Sequence, residues 1–268
     1  MPRKVRLDVH LLTKGLAASR QQAQQLIRAG KVRDQNGQLL DKPGLEVPSS
    51  LELKVQEAPR FVSRGGEKLF GALRAFLIDV EGRVCLDCGI STGGFTDCLL
   101  QNGATRVYGI DVGYGQTAWN IRNDSRVVLR ERTNVRRLTP DQLYEVDDPL
   151  PDLVVADLAF ISLRLVLPSI KALVNPEYSE ALLLVKPQFE VGRDRVGKGG
   201  IVREASAQVD ALKSVIGFSL SEGWKTKGLI PSSIKGATGN QEYLLWLGLS
   251  GECITFPEIE KLVIKALS

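Results

Sequence analysis

Histidine is almost missing from this chain, with His10 the single example in 268 residues. That scarcity excludes sites built from clustered imidazoles and later bears on hydrolase chemistry. Cysteine is sparse too: Cys85, Cys88, Cys98 and Cys253 make no disulfide framework in so long a chain, and the Cys85/Cys88 pair has no second pair to complete a zinc tetrahedron. All four are expected as small core or near-core residues, His10 as a partly exposed one, and no metal is expected. No stretch approaches about eighteen uninterrupted apolar residues, and Met1-Pro2-Arg3-Lys4-Val5-Arg6 lacks the apolar core of a secretory signal. A cytoplasmic protein without membrane contact is expected, with a monomer the favoured state. What is present is a folded chain's composition, 43% hydrophobic and 25% charged, which leaves ample material for a core.

The net charge of +4 conceals an asymmetry: residues 1–64 hold twelve Lys/Arg against six Asp/Glu, so the remaining 204 residues sum to −2. A localised basic patch is the footprint of a phosphate-backbone binder, although a solvated lysine-rich face has the same composition. Leu7 to Leu12 reads as a short helix stopped at Lys14-Gly15. Ser19 with Gln22 three residues on makes a capping box for a second helix, Arg20 to Ala29, with Gly30 where a C-terminal cap belongs. Short strands are expected around Lys31-Val32-Arg33 and Leu51 to Val55, separated by Asn36-Gly37 and Pro43-Gly44 turns. Arg3, Lys4, Arg6, Arg20, Gln24, Arg28, Lys31 and Arg33 are the candidate phosphate-contacting residues.

The residues Arg6-Leu7-Asp8, Gly15-Leu16, Ser19-Arg20, Ala23, Ile27, Gly30-Lys31-Val32 and Lys42-Pro43-Gly44 resemble the S4 RNA-binding domain over roughly residues 5 to 55. The resemblance implies a small α+β module that binds structured RNA. The expected organisation is a module at 1–56, a linker at 57–62 marked by Pro59, and a second domain at 63–268.

Beyond Ser63, apolar runs alternate with helical patterns: Val84 to Asp87, Val107 to Asp111, Leu153 to Asp157, Ala181 to Lys186, Lys225 to Leu229 and Tyr243 to Leu249. This alternation predicts an α/β, Rossmann-like, mostly parallel sheet. Residues Ile230 to Glu242 are too few for a helical crossover, so the last strand should run antiparallel.

Asp87-Cys88-Gly89-Ile90-Ser91-Thr92-Gly93-Gly94-Phe95-Thr96 is a strand end, a glycine-rich turn and a helix start. Such turns hold ligands at the carboxyl edge of open α/β sheets. Three chemistries could use it. The G-x-x-x-G-G spacing weakens a dinucleotide reading, which wants G-x-G-x-x-G. Gly89-Ile90-Ser91-Thr92-Gly93 matches a nucleophile elbow, but that fold needs a histidine after the serine, and His10 precedes it. The third reading is S-adenosyl-L-methionine, with Asp111 at the next strand end for the ribose hydroxyls; an acid so placed supports a nucleoside more firmly than a particular one. The candidate cofactor-binding residues are Asp87, Cys88, Gly89, Ser91, Thr92, Gly93, Gly94, Phe95, Asp111, Asp157 and Asn134, the last expected to hydrogen-bond the adenine.

Four charged residues should converge on that edge. Lys68 begins an amphipathic helix whose expected buried face is Leu69, Leu73, Phe76 and Leu77; Asp157 and Lys186 end two parallel strands, and Glu242 opens the antiparallel one. A ribose 2'-hydroxyl is a poor nucleophile at neutral pH, so its methylation benefits from a base. Lys186 is assigned as that base, Asp157 as its orienting partner, and Lys68 and Glu242 as positioners of the ribose. Gly192 to Gly200 is a basic, glycine-rich loop suited to an RNA clamp that orders on binding.

Ser63-Arg64-Gly65-Gly66-Glu67-Lys68-Leu69, the glycine loop, Asp157-Leu158-Ala159-Phe160-Ile161-Ser162-Leu163, Lys186-Pro187-Gln188-Phe189-Glu190, Ile234-Lys235-Gly236 and Gly239-Asn240-Gln241-Glu242-Tyr243 resemble, over essentially the full length, the TlyA family, named as hemolysins, with an FtsJ-like methyltransferase domain. Its Lys-Asp-Lys-Glu tetrad falls on Lys68, Asp157, Lys186 and Glu242. The resemblance implies S-adenosyl-L-methionine-dependent 2'-O-methylation of cytidine in ribosomal RNA, with ribosomal RNA or subunits as partners. The competing readings are a noncatalytic RNA-binding, ribosome-associated factor and a membrane-lysing hemolysin.

Overall fold

A three-residue strand, β1 (Lys4–Arg6), leads directly into helix α1 (Leu7–Thr13) in the computed structural model, which describes residues 3–56 and 59–267. Helix α2 (Arg20–Arg28) forms only half of the expected capping box: Ser19 accepts from the Gln22 amide, but the Gln22 side chain accepts from the Ala18 amide, one residue before the N-cap. It ends at Gly30, whose φ of +67° is reached without strain only by glycine. Strands β2 (Val32–Asp34), β3 (Glu46–Pro48) and β4 (Leu53–Val55) complete the unit, with β1 antiparallel to β3 and β2 antiparallel to β4. Leu7, Leu11, Ala23, Ile27, Val32 and Val47 close its core. His10 is buried in this unit rather than partly exposed, because its ring nitrogen needs the Leu51 carbonyl, 2.8 Å away.

Contacts divide the chain into Met1–Pro59 and Arg60–Ser268. Of the expected linker 57–62, Glu57 and Ala58 lie outside the described residues. Phe61 is instead buried in the second unit, and the Val62 amide donates to Asp97 at 2.8 Å. A Cβ on Gly66 would sit 2.3 Å from the Phe61 ring, so that glycine admits the aromatic side chain.

The second unit follows in chain order with α3 (Gly65–Phe76), β5 (Val84–Cys88), α4 (Gly94–Gln101), β6 (Arg106–Ile110), α5 (Trp119–Arg122), β7 (Val127–Arg130) and α6 (Pro140–Leu143). Next come β8 (Leu153–Ala156), α7 (Leu167–Ala172), β9 (Glu180–Val185), α8 (Pro187–Glu190), α9 (Ala205–Ser221), β10 (Lys225–Pro231), β11 (Tyr243–Gly248) and α10 (Phe256–Leu267). One seven-stranded sheet runs β10-β11-β9-β8-β5-β6-β7. Its β5 to β9 pairings are parallel, while β11 is antiparallel to both β9 and β10, as the short connection predicts. Strand alternation divides the core: Leu153 and Val155 join α3 and α4 on one face, Val154 and Ala156 join α7 and α9 on the other. Both faces are covered, so the site is confined to the sheet's edge.

Two further expectations fail. Leu77 is not on the buried face of α3; it caps the helix at φ +56° and is 89% exposed. Cys253 is exposed, whereas Cys85, Cys88 and Cys98 are buried. No helix among the described residues is long and apolar enough to cross a membrane.

Candidate active-site cleft

The turn after β5 depends on backbone freedom. Gly89 and Gly93 have φ of +89° and +99°. A Cβ on Gly89 would stand 3.0 Å from the Asp157 carbonyl oxygen, so only glycine lets this loop lie against the end of β8. Ser91 takes φ +49° without being glycine; its amide donates to Asp111 Oδ2 at 2.7 Å, and the Gly113 amide donates to Asp111 Oδ1 at 2.7 Å. Asp111 thus grips the loops while each oxygen retains a further acceptor site.

A cavity of about 430 Å³ opens here, walled by Gly89, Ser91, Ile110, Val112, Val135 and Leu158 together with Asp111, Asp157 and Lys186. Its apolar walls suit a heterocyclic base and its carboxylates suit a sugar diol. Asp111 suits the ribose of a nucleoside, and the charge of Asp157 is balanced by Lys186 in the same wall. Asn134 does not line it. The Asn134 side chain accepts from the Arg136 amide at 3.1 Å, and the residue faces a neighbouring cavity with Arg130, Arg132 and Arg137. Thr133 and Val135 take the wall instead. Below the loop, Asp87 is fully buried; desolvation pushes its carboxyl up to about 7, the Thr96 hydroxyl opposing this with a 2.7 Å hydrogen bond to Oδ2. Its Oδ1 has no partner among the described residues.

Lys68, Asp157, Lys186 and Glu242 line one second cavity of about 420 Å³, which shares Gly89, Ser91, Asp157 and Lys186 with the first. The convergence follows from register. Tyr243 pairs with Val185 in an antiparallel ladder, so Glu242 and Lys186 leave their strands side by side. The charges sort into two pairs: Lys68 Nζ to Glu242 Oε2 at 2.5 Å, with side chains 10% and 4% exposed, and Lys186 Nζ to Asp157 Oδ1 at 2.6 Å, with 13% and 24%. Gly236 makes room for the first pair, since a Cβ there would meet Glu242 Oε1 at 2.4 Å.

Several contributors lie within the sequence motifs without being singled out there as site residues. Glu190 is buried and accepts from the Ser162 hydroxyl at 2.6 Å and the Leu163 amide at 2.8 Å, joining the segment after Asp157 to α8, whose N-cap is Lys186. Burial raises its carboxyl above the ordinary value. Asn240, also buried, accepts from the Val202 amide and donates to the Gly200 carbonyl, pinning the end of the basic glycine loop. Arg195 in that loop pairs with Asp210 at 2.6 Å. Phe160 is 91% exposed at φ +65°, lines the first cavity, and lies 5.2 Å from the Phe189 ring centre. Among the described residues no His, Cys, Asp or Glu cluster is placed to hold a metal.

In the first unit, Arg3, Lys4, Arg6, Arg20, Arg28 and Arg33 are exposed, and Gln24 and Lys31 half-buried.

The description of the FtsJ-like methyltransferase family matches residues 61–249, and that of the S4 domain residues 5–53. The 16S/23S rRNA (cytidine-2'-O)-methyltransferase TlyA of Mycobacterium tuberculosis is 48% identical, over 92% of this chain and 91% of its own. Hemolysin A of Brachyspira hyodysenteriae is 40% identical, over 90% and 98%. A solved structure of a hemolysin-type protein from Streptococcus thermophilus is 41% identical with a TM-score of 0.73, covering 99% of this chain and 96% of that one.

Proposed function

The chain belongs to the FtsJ-like methyltransferase family, and from that premise we propose that it methylates ribose 2'-hydroxyls, of cytidine, in ribosomal RNA, using S-adenosyl-L-methionine. The observation that carries this reading is the shared wall: Asp157 and Lys186 belong both to the cavity suited to a nucleoside and to the one holding all four charged residues. When bound, S-adenosyl-L-methionine supplies an electrophilic sulfonium methyl and leaves as a neutral thioether. The residues that would hold it are Gly89 and Ser91, with Asp111 at the ribose diol, Asp157 beside them and Thr92, Gly94 and Phe95 along the second cavity, while the buried Asp87, Cys88 and Gly93 support the loop from beneath.

In this reading Lys186 Nζ takes the 2'-hydroxyl proton as the oxygen forms its bond to the methyl carbon. A lysine does so through a free electron pair on its nitrogen. Asp157, 2.6 Å away, fixes the side chain's direction, so it orients rather than activates. Lys68 and Glu242 hold the ribose. The S4 domain captures the substrate, ribosomal RNA or a ribosomal subunit, through Arg3, Lys4, Arg6, Arg20, Gln24, Arg28, Lys31 and Arg33, and the site of action is the cytoplasm.

Nuclease digestion and mass spectrometry of ribosomal RNA incubated with the protein and methyl-labelled S-adenosyl-L-methionine test this. A labelled 2'-O-methylcytidine is expected; label on a base, or none, overturns the proposal. Absence of cofactor binding by calorimetry, with or without RNA, would favour the noncatalytic RNA-binding factor.

A further inference from the structure

The basic face of the first unit is organised around an acid. Asp8 is fully buried at the start of α1. Its Oδ2 accepts from Arg6 Nη2 at 3.0 Å, Arg20 Nε at 3.0 Å and Gln24 Nε2 at 2.9 Å, and its Oδ1 from Arg6 Nε at 3.1 Å and the Val9 amide at 3.0 Å. The donors arrive from two directions, Arg6 from the end of β1, Arg20 and Gln24 from successive turns of α2. Hydrogen bonding from Arg6, above all, holds the Asp8 carboxyl well below the usual carboxylate range. The arginines are nonetheless not consumed: their side chains remain 47% and 53% exposed. A guanidinium carries five N–H donors, and here Arg6 uses two on Asp8 and Arg20 one.

By charge alone, a carboxylate on this face weakens attraction to a polyanion. What it supplies is order, because free arginine side chains lose substantial rotamer entropy when a phosphate fixes them. We propose that Asp8 is a positioning residue that holds Arg6, Arg20 and Gln24 as a preformed phosphate-binding cluster for folded RNA. This rests on the reading of the S4 domain as the RNA-binding unit. It carries a consequence opposite in sign to simple electrostatics: removing a negative charge from the RNA-binding face weakens RNA binding.

The test is filter binding of the full-length protein to purified, unmethylated ribosomal RNA across a salt series, with thermal melts to confirm folding. Asp8→Asn is expected to bind about tenfold more weakly, a loss the size of one charged hydrogen bond. A charge-only account predicts tighter binding and a steeper salt dependence. Because Asp8 is buried, a second variant decides the matter if Asp8→Asn fails to fold. Asp8→Glu keeps the charge and every donor but moves the carboxylate by one methylene away from its fit to Arg6, Arg20 and Gln24; weaker binding at unchanged salt slope supports the inference, and wild-type affinity overturns it. Arg20→Ala and Arg6→Ala separate the two levels. If neither changes affinity or slope, the RNA-binding reading of this face fails. If both weaken binding while Asp8→Asn strengthens it, only the positioning role of Asp8 is lost.

Discussion

Lys68–Glu242 and Lys186–Asp157 are the same chemical pair in two settings of one cavity. Glu242 is 4% exposed as a side chain and Asp157 24%, and Lys186 with Asp157 also borders the nucleoside-sized cavity, which Lys68 with Glu242 does not. Identical groups therefore have different work available to them. The more buried pair is expensive to break and can position what it borders, whereas the pair in contact with both cavities is within reach of what binds in either.

The largest expected effect separates the pairs by stability. Glu242→Ala strands an ammonium in a buried site and should lower unfolding free energy by about 3–5 kcal/mol, while Asp157→Ala, at the more open pair, should lower it by closer to about 1 kcal/mol. Equal losses in denaturant melts would erase the distinction. Next is a dependence on pH from Asp87, whose carboxyl rises from 3.8 to about 7 on folding. A raised folded-state value means the stabilisation is complete below pH 3.8 and is lost as pH climbs through 7. Asp87→Asn should therefore gain on the wild type by up to about 1.4 kcal/mol per pH unit between pH 5 and about 7; a constant difference over that range would contradict the assignment. A smaller change is expected from Asp111→Asn, which keeps an acceptor for one of the two gripped amides: cofactor affinity falling about tenfold by calorimetry, with little change in melting. Unaltered affinity would remove Asp111 from the ribose diol. Smallest of all, Leu77→Gly relieves a left-handed leucine whose side chain is 89% exposed, and should add about 0.5 kcal/mol with activity intact.

Legibility in the sequence followed the length over which a pattern repeats. The strands carrying Asp157, Lys186 and Glu242 are continuous apolar runs, and each was located to within a residue at its ends. Strand β7 was not read, because Val127–Arg130 is a short, half-buried edge. Strands β1 and β3 are as short as β2 and β4 but lack their flanking turn-and-apolar pattern, and exist through their pairing with one another. Asn134 lines the neighbouring cavity because its side chain caps the short helical turn at Val135–Arg137, while Thr133 borders both cavities and Val135 the nucleoside-sized one. Glu190 meets Ser162 across 28 residues, and Asp8, whose pairing with Arg6 is local, gathers Arg20 and Gln24 from 12 and 16 residues away, so neither shows as an organiser in the sequence.

The division of labour between the two pairs is tested most directly by substituting Lys186→Met, which keeps the length of the side chain and removes the amine. Methyl transfer to ribosomal RNA and calorimetric binding of S-adenosyl-L-methionine are measured on the same preparation. The account predicts transfer reduced by about 10²–10⁴-fold with cofactor binding retained. Transfer at the wild-type rate would contradict it.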